Sequence, residues 1–106
     1  RRAFDDLFML QERYRRVAIS SSNRHLNYEL MKAVEIEYML DIANAIAIGA
    51  LKREESRGAH YRRDFPLRND KDWLKHTLVK MGKDGMPDIS YKEVTITNNP
   101  PRERVY

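Results

Sequence analysis

The sequence contains no cysteine, and its 106 residues include only four glycines, four prolines and one tryptophan. Without cysteine the chain has no disulfide, no thiolate nucleophile and no zinc-thiolate site, which fits a reducing compartment. The glycines do not form a phosphate-binding loop between a strand and a helix. The longest apolar region, from Tyr38 to Leu51, is interrupted by Asp41, Asn44 and Gly49 and falls short of the roughly 18 residues of a membrane span. We therefore expect a soluble chain without thiol or nucleotide chemistry.

Charge, in contrast, is abundant and of both signs. Lysine and arginine number 20 against 16 aspartates and glutamates, which gives a formal net charge of +4. Because the two signs interleave along the chain, a solvated mixed-charge surface explains them, and we expect no nucleic-acid partner. A free-standing basic helical module that binds nucleic acid stays open as an alternative. Its phosphate contacts would come from Arg1, Arg2, Arg13, Arg15, Arg16, Arg62 and Arg63.

The three histidines do not form a recognisable metal site. His25, His60 and His76 are spaced too widely for a metal-binding motif, and no pair of carboxylates on one helix face completes a ligand set. We therefore expect neither a metal site, nor a catalytic residue, nor a cofactor-binding residue in this chain.

Two amphipathic helices are predicted in the first half of the sequence. Apolar side chains recur every three or four residues from Phe4 to Val17, which is the period of one helix face. The polar residues 20–23 favour a turn, because short polar side chains compete for backbone hydrogen bonds. Asn27 is then expected to cap a second helix that starts near Tyr28.

The second helix is predicted to be long and widely apolar. From Tyr38 onward its polar face nearly vanishes, as expected of a helix that is covered on most sides. We expect it to end at about Ser56 or Arg57, with Gly58 in the left-handed conformation that closes a helix.

A β-hairpin is predicted in the second half. Residues 64–72 are polar and indicate an irregular loop across a surface. Residues 76–80 and 89–96 favour strands, and residues 82–85 have turn chemistry between them. Pro87 lies at the margin of the hairpin, where a missing amide costs little.

These elements together predict a mainly α fold: an antiparallel helical bundle with a C-terminal β-hairpin and an extended tail. Residues 1–60 would form the helical part with its two long helices. Residues 61–106 would form the loop, the hairpin and the tail of the same domain.

The segment after the second helix has an unusual density of specific polar side chains. Its candidate functional residues are Glu55, Ser56, Arg57, Gly58, His60, Arg62 and Asp64. Side chains placed at a helix end can cap free carbonyls and form local ion pairs. They can also dock the domain on a larger partner. The physical chemistry of the segment leaves both interpretations open.

The same segment carries a family resemblance. Arg53, the sequence Glu-Ser-Arg-Gly-Ala-His at 55–60, and then Arg62, Asp64 and Pro66 resemble the pattern that closes the long helix of succinate dehydrogenase and fumarate reductase flavoproteins. The similarity continues into Asn27, Leu30 and residues 35–41 before the motif. It also continues into the sequence Trp-Leu-Lys-His-Thr-Leu at 73–78 and the ending Pro-Pro-Arg-Glu-Arg-Val-Tyr at 100–106.

The resemblance implies that the chain is the C-terminal part of a longer flavoprotein. The family domain is a three-helix bundle of the spectrin-repeat type, so its first helix is expected upstream of Arg1. The apolar face left uncovered predicts that the isolated chain self-associates. Arg57, His60 and Arg62 are expected to make charge-assisted hydrogen bonds to the flavin domain, as part of a domain-interface motif.

The resemblance also implies an activity for the parent protein. It would oxidise succinate to fumarate with FAD and pass electrons to an iron–sulfur subunit and, through membrane anchor subunits, to a quinone. The parent would lie peripherally on the cytoplasmic or mitochondrial matrix face of the membrane. FAD and the dicarboxylate would be held by the upstream flavin-binding and capping domains, and the present chain would hold no cofactor. An assembly factor that helps to attach flavin stays open as a further partner.

Within the flavoproteins one alternative stays open. Aspartate oxidase resembles this chain through a similar Glu-Ser-Arg-Gly motif and a similar helical domain. The hairpin and tail from Trp73 to Tyr106 favour the succinate dehydrogenase side. The direction of catalysis and the mode of flavin attachment stay undecided.

Overall fold

The structure, a computed structural model, describes residues 2–83 and 85–102. Its elements are the helices α1 (Arg2–Tyr14), α2 (Tyr28–Lys52) and α3 (Asp70–Trp73), and the strands β1 (Lys75–Met81) and β2 (Pro87–Glu93). The two strands pair as a hairpin. The predicted fold class, mainly α with a C-terminal β-hairpin, is confirmed. The candidate phosphate contact Arg1, the predicted turn residue Asp84 and the last part of the predicted tail, residues 103–106, lie outside the described residues.

The described residues divide into two compact units. Residues 2–53, 79–83 and 85–89 form the first unit, which contains both long helices. Residues 54–78 and 90–102 form the second unit, which contains the polar segment that follows α2.

Helix α1 packs against α2 within the first unit. It ends at Tyr14 and not at the predicted Val17, because the backbone N–H groups of Arg16 and Val17 turn to i−3 carbonyls at 3.1 and 2.9 Å. The Tyr14 hydroxyl donates to Glu37 of α2 at 3.4 Å. Desolvation and the negative charge of Glu37 raise the pKa of Tyr14.

Asn27 caps α2 as the sequence predicts. Its side-chain oxygen accepts from the backbone N of Leu30 at 3.0 Å. The preceding loop is attached to the same helix end by Glu29, whose carboxylate accepts from the Ser20 hydroxyl at 2.9 Å and from the backbone N of Ser21 at 3.1 Å. These hydrogen bonds, that of the Ser20 side chain foremost, lower the pKa of Glu29.

The predicted end of α2 at Ser56 or Arg57 is wrong. The helix ends at Lys52, and Arg53 follows with extended backbone at φ −84° and ψ 110°. The N–H of Arg53 still bonds to the carbonyl of Gly49 at 3.2 Å, which satisfies the last turn without a glycine cap.

Gly58 has the predicted left-handed conformation but a different role. Its φ is +59°, and it lies in a tight turn in which the backbones of Arg57 and His60 pair at 2.8 and 3.0 Å. A positive φ at the first central residue alone is the pattern of a type II′ turn. The prediction that Gly58 closes the helix is therefore wrong.

Apolar burial is slight throughout the part of the chain that the structure describes. There, no large apolar side chain is fully buried, and the buried residues are the polar Asn44 and Glu55 together with Pro87 at the start of β2. Helix α2 exposes six large apolar side chains by 53 to 66% each. This α2 apolar face consists of Tyr28, Met31, Tyr38, Met39, Ile42 and Ile46. A groove of 410 Å³ between α1 and α2 is also open, with Leu10, Ile36 and Leu40 among its lining residues.

A short helix lies where the sequence predicted an irregular loop. Asn69 caps α3 by accepting from the backbone N of Asp72 at 3.0 Å. Four residues are too few to show the helical period in a sequence, which explains the wrong prediction. After α3, the Lys75 ammonium lies 4.5 Å from the ring centroid of Trp73 and 4.6 Å from that of Tyr91 on β2. This double cation–π contact joins the base of the hairpin to α3.

Candidate functional site

Glu55 is the centre of the polar segment. Its side chain has no solvent exposure. The Arg57 guanidinium donates to both carboxylate oxygens, from Nε at 2.8 Å and from Nη2 at 3.0 Å, and the backbone N of Asn69 donates to Oε2 at 2.9 Å. A buried carboxylate requires such partners, because an unpaired charge withdrawn from water is strongly destabilising.

The ion pair extends outward through Asp70. Arg57 Nη2 donates to Asp70 Oδ1 at 2.6 Å, and Arg68 Nη2 donates to Oδ2 of the same carboxylate at 2.7 Å. Arg68 also donates to the backbone carbonyl of Arg102 in the tail at 2.7 Å. We call Glu55, Arg57, Asp70 and Arg68 the ion chain. Hydrogen bonding from Arg57, and then from Arg68, lowers the pKa of Asp70, and Glu55 foremost raises that of Arg57.

Ser56 holds the two ends of the loop together. Its hydroxyl donates to the carbonyl of Phe65 at 2.7 Å and accepts from the backbone N of Arg62 at 2.9 Å. Its own backbone N donates to the carbonyl of Leu67 at 3.1 Å. Ser56 therefore bonds three backbone groups of the loop, those of Arg62, Phe65 and Leu67.

The Arg62 side chain binds to two other residues of the loop. It forms a forked ion pair with Asp64, with Nε 2.9 Å from Oδ1, and its guanidinium carbon lies 4.6 Å from the centroid of the Phe65 ring. The side chain is only 16% exposed. Hydrogen bonding to Arg62 lowers the pKa of Asp64, which keeps the pair charged at neutral pH.

The structure thus brings the seven sequence-predicted residues into one braced loop. Glu55, Ser56 and Arg57 hold its inner side, Arg62 and Asp64 pair with each other, and Gly58 and His60 belong to the tight turn. Local ion pairs, one of the two interpretations left open by the sequence, are present. Both arginines bind carboxylates: Arg57 those of Glu55 and Asp70, and Arg62 that of Asp64.

Three residues of the ion chain and its surroundings were missed by sequence reasoning. Arg68, Asn69 and Asp70 lie in the stretch interpreted as a plain polar loop, yet they complete the environment of Glu55 and Arg57. The available signal was the pair of opposite charges, Arg68 and Asp70, on either side of Asn69. Nothing in that pattern identifies a partner 13 residues away in the chain.

The arrangement is suited to fixing a backbone conformation. Among residues 2–83 and 85–102, no group of histidines and carboxylates is placed to hold a metal ion. Within the same described residues, no helix combines the length and apolar character needed to cross a membrane. Alternating charges, each held by two partners, make the loop a rigid element at the end of a long helix.

The fold and this loop define a small, mainly helical domain with a braced loop and a hairpin. A family model described as "Fumarate reductase flavoprotein C-term" matches residues 1–106, and the chain belongs to that family of flavoprotein C-terminal domains. The predicted resemblance is therefore confirmed.

Individual relatives agree with this assignment. The fumarate reductase flavoprotein subunit of Mycobacterium tuberculosis is 48% identical over 105 residues, covering 99% of this chain and 18% of that protein. The succinate dehydrogenase flavoprotein subunit of Rickettsia felis is 41% identical over 100 residues, covering 88% of this chain and 17% of its own length. A solved mutant quinol fumarate reductase of Escherichia coli superposes with a TM-score of 0.89 at 39% identity, covering 97% of this chain and 18% of that one. The chain thus spans less than a fifth of the length of these relatives.

Proposed function

We propose that the chain is a non-catalytic scaffold within a flavoprotein subunit that interconverts succinate and fumarate. The observation that carries the proposal is the match to the flavoprotein C-terminal family along all 106 residues. In this proposal residues 1–60 are the helical part, and residues 61–106 are the loop, hairpin and tail, of a single domain.

The chemistry belongs to the rest of the parent protein. FAD and the dicarboxylate are bound by upstream flavin-binding and capping domains, and electrons pass to an iron–sulfur subunit and through membrane anchor subunits to a quinone. A solved relative described as a quinol–fumarate reductase with menaquinol molecules, with a TM-score of 0.85 at 38% identity, supports a quinone as the partner in electron transfer. The parent lies peripherally on the cytoplasmic or matrix face of the membrane, where an assembly factor for flavin attachment would also reach it.

The braced loop supplies the physical basis for the scaffold role. Its candidate residues, from Glu55 to Asp64, lie at the junction with the flavin-binding domain. A loop already held by Glu55, Ser56 and Arg57 loses little conformational entropy when it docks, so that it fixes the orientation of the two domains at low cost.

The α2 apolar face is proposed to pack against another protein surface. In the parent protein it packs against upstream residues, and in the isolated chain it packs against a second copy of itself. The exposure of Ile42 and Ile46 by 61 and 66% supports this, because packing such side chains together removes apolar surface from water.

The test of the proposed function is dye-linked turnover by the full-length subunit, purified with its flavin. Succinate, fumarate and L-aspartate are offered separately, with reduced dye as the electron donor for fumarate. Turnover with succinate or fumarate, and none with aspartate, is the expected result. Turnover with aspartate alone would reassign the parent to aspartate oxidase. Absence of flavin, together with salt-sensitive binding to duplex nucleic acid, would favour the basic-module alternative.

A further inference from the structure

Some residues of the braced loop direct their side chains to other groups of the same loop. Glu55 is withdrawn from solvent, and the Ser56 hydroxyl is engaged with Phe65 and Arg62. Arg62 is folded onto Asp64 and the Phe65 ring. These residues shape the loop from the inside, so that little of their surface is left for a partner.

Other residues of the same loop have the opposite character. Tyr61 is 69% exposed and Leu67 is 79% exposed, and Arg63 between them is also exposed. We call these three the loop surface. Ordered tyrosine and arginine side chains are the types that contribute most to binding energy at protein interfaces. Because the loop is already braced by Ser56 and the ion chain, binding would not require its backbone to be ordered again.

We propose that the loop surface, and not the inward Glu55–Arg57–Arg62 set, makes the direct contacts to the upstream part of the same polypeptide. The surface that it meets has an apolar patch for Tyr61 and Leu67 and a carboxylate for Arg63. The inference rests on the proposed function and assigns the contacts of that interface to particular residues.

The upstream part of the polypeptide is the occupant that the observations favour. The matched region is less than a fifth of the length of the relatives, so most of such a subunit is polypeptide outside this domain. Covalent connection gives that polypeptide a high effective concentration at the loop, which makes a small contact sufficient. Exposed Tyr61 and Leu67 supply apolar surface and exposed Arg63 supplies a charge, the mixture of groups found at protein interfaces.

A photo-crosslinking experiment in the full-length subunit tests the inference. Tyr61 is replaced by a benzophenone amino acid, and the crosslinked peptides are identified by mass spectrometry. Crosslinks to upstream residues of the same polypeptide are expected. Crosslinks only to another subunit, or none above those from a benzophenone placed at the exposed Met81, would overturn the inference. Because the rest of the protein is unchanged, the result does not depend on a destabilised variant.

A second measurement follows hydrogen exchange of the crosslinked upstream segment. Arg63→Glu and Leu67→Ser are each expected to accelerate its exchange about tenfold, which is the loss of one interface contact. Arg24→Glu, a charge reversal at another exposed site, and Leu67→Met, which keeps the apolar volume, are expected to leave exchange unchanged. Equal exchange in all four variants contradicts the inference. Succinate turnover is measured in the same preparations, because its absence in the unmodified subunit would instead contradict the proposed function.

Discussion

Arg57 holds Glu55 by two parallel hydrogen bonds, of 2.8 and 3.0 Å, and the carboxylate that it holds has no contact with solvent. A buried charge of this kind depends on its partner, because desolvation penalises the ionised form. The Glu55–Arg57 pair therefore stabilises the conformation of the backbone between α2 and α3.

Glu55→Gln is expected to destabilise the subunit by about 3 kcal/mol, because it leaves Arg57 without its buried counter-charge. Urea unfolding of the full-length protein measures this. Glu54→Gln, at the exposed neighbouring position, serves as the control and should change stability by less than about 0.5 kcal/mol. Equal effects at the two positions would show that the ion chain contributes nothing of its own.

Ser56→Ala is expected to cost about 2 kcal/mol, since it leaves the backbone N of Arg62 and the carbonyl of Phe65 without the partner they share. Faster proteolysis within residues 57–67 should accompany the loss. Ser22→Ala in the exposed loop before α2 is the matched control. A loop that stays protected in the Ser56 variant would mean that the arginine pairs alone hold it.

Acid should weaken the ion chain through Asp70. The pKa of Asp70 is lowered in the folded state, so its contribution is complete above the unfolded value of about 3.9 and is lost as pH falls through the folded value. Asp70→Asn should therefore flatten the decline of stability below about pH 4, as followed by thermal melts. The exposed Asp88→Asn is the control. A decline as steep in the Asp70 variant as in the native protein would contradict the assignment.

Leu26 carries backbone strain that can be relieved. Its φ is +52°, a conformation that costs an L-residue about 1 kcal/mol, and its side chain is 79% exposed. Leu26→Asn should raise the free energy of unfolding by about 0.5 to 1 kcal/mol, because asparagine tolerates this region. Ile19→Asn, an exposed position in the same unit where φ is not positive, should give no gain.

Self-association of the 106-residue chain is expected through the α2 apolar face. Sedimentation velocity over a range of concentrations should show a mass that rises with concentration. Ile42→Glu and Ile46→Glu should shift the chain toward monomer, because a carboxylate cannot be buried there unpaired. Lys32→Glu, on the same helix, is the control. A native chain whose mass is independent of concentration would rule out this interface.

The local chemistry of the helices was predictable from sequence. Asn27 was assigned as a cap because its side-chain oxygen can reach a backbone amide three residues ahead, a rule that needs no tertiary information. The hairpin was predicted for a similar reason, because strand-forming residues flank a glycine-rich turn. Its strand bounds differ from the prediction by a few residues.

The interior of the loop was not predictable in the same way. Asp70, the second partner of Arg57, is 13 residues away, and a glutamate in a polar loop is more often exposed than buried. Gly58 is an example. Its positive φ was predicted from sequence, but its place in a tight turn, and not at a helix end, became known only from the structure. The seven candidate residues were located by the density of their polar chemistry, and their pairing came only from the structure.

The ion chain also constrains how this sequence can evolve. Each of its charges is held by two partners, so a single replacement at Arg57 removes hydrogen bonds from two carboxylates at once, the buried Glu55 and the more exposed Asp70. Conversion to another arrangement requires coordinated changes at several positions, and the intermediates are selected against. Among descendants of this protein the ion chain should therefore be inherited as a block.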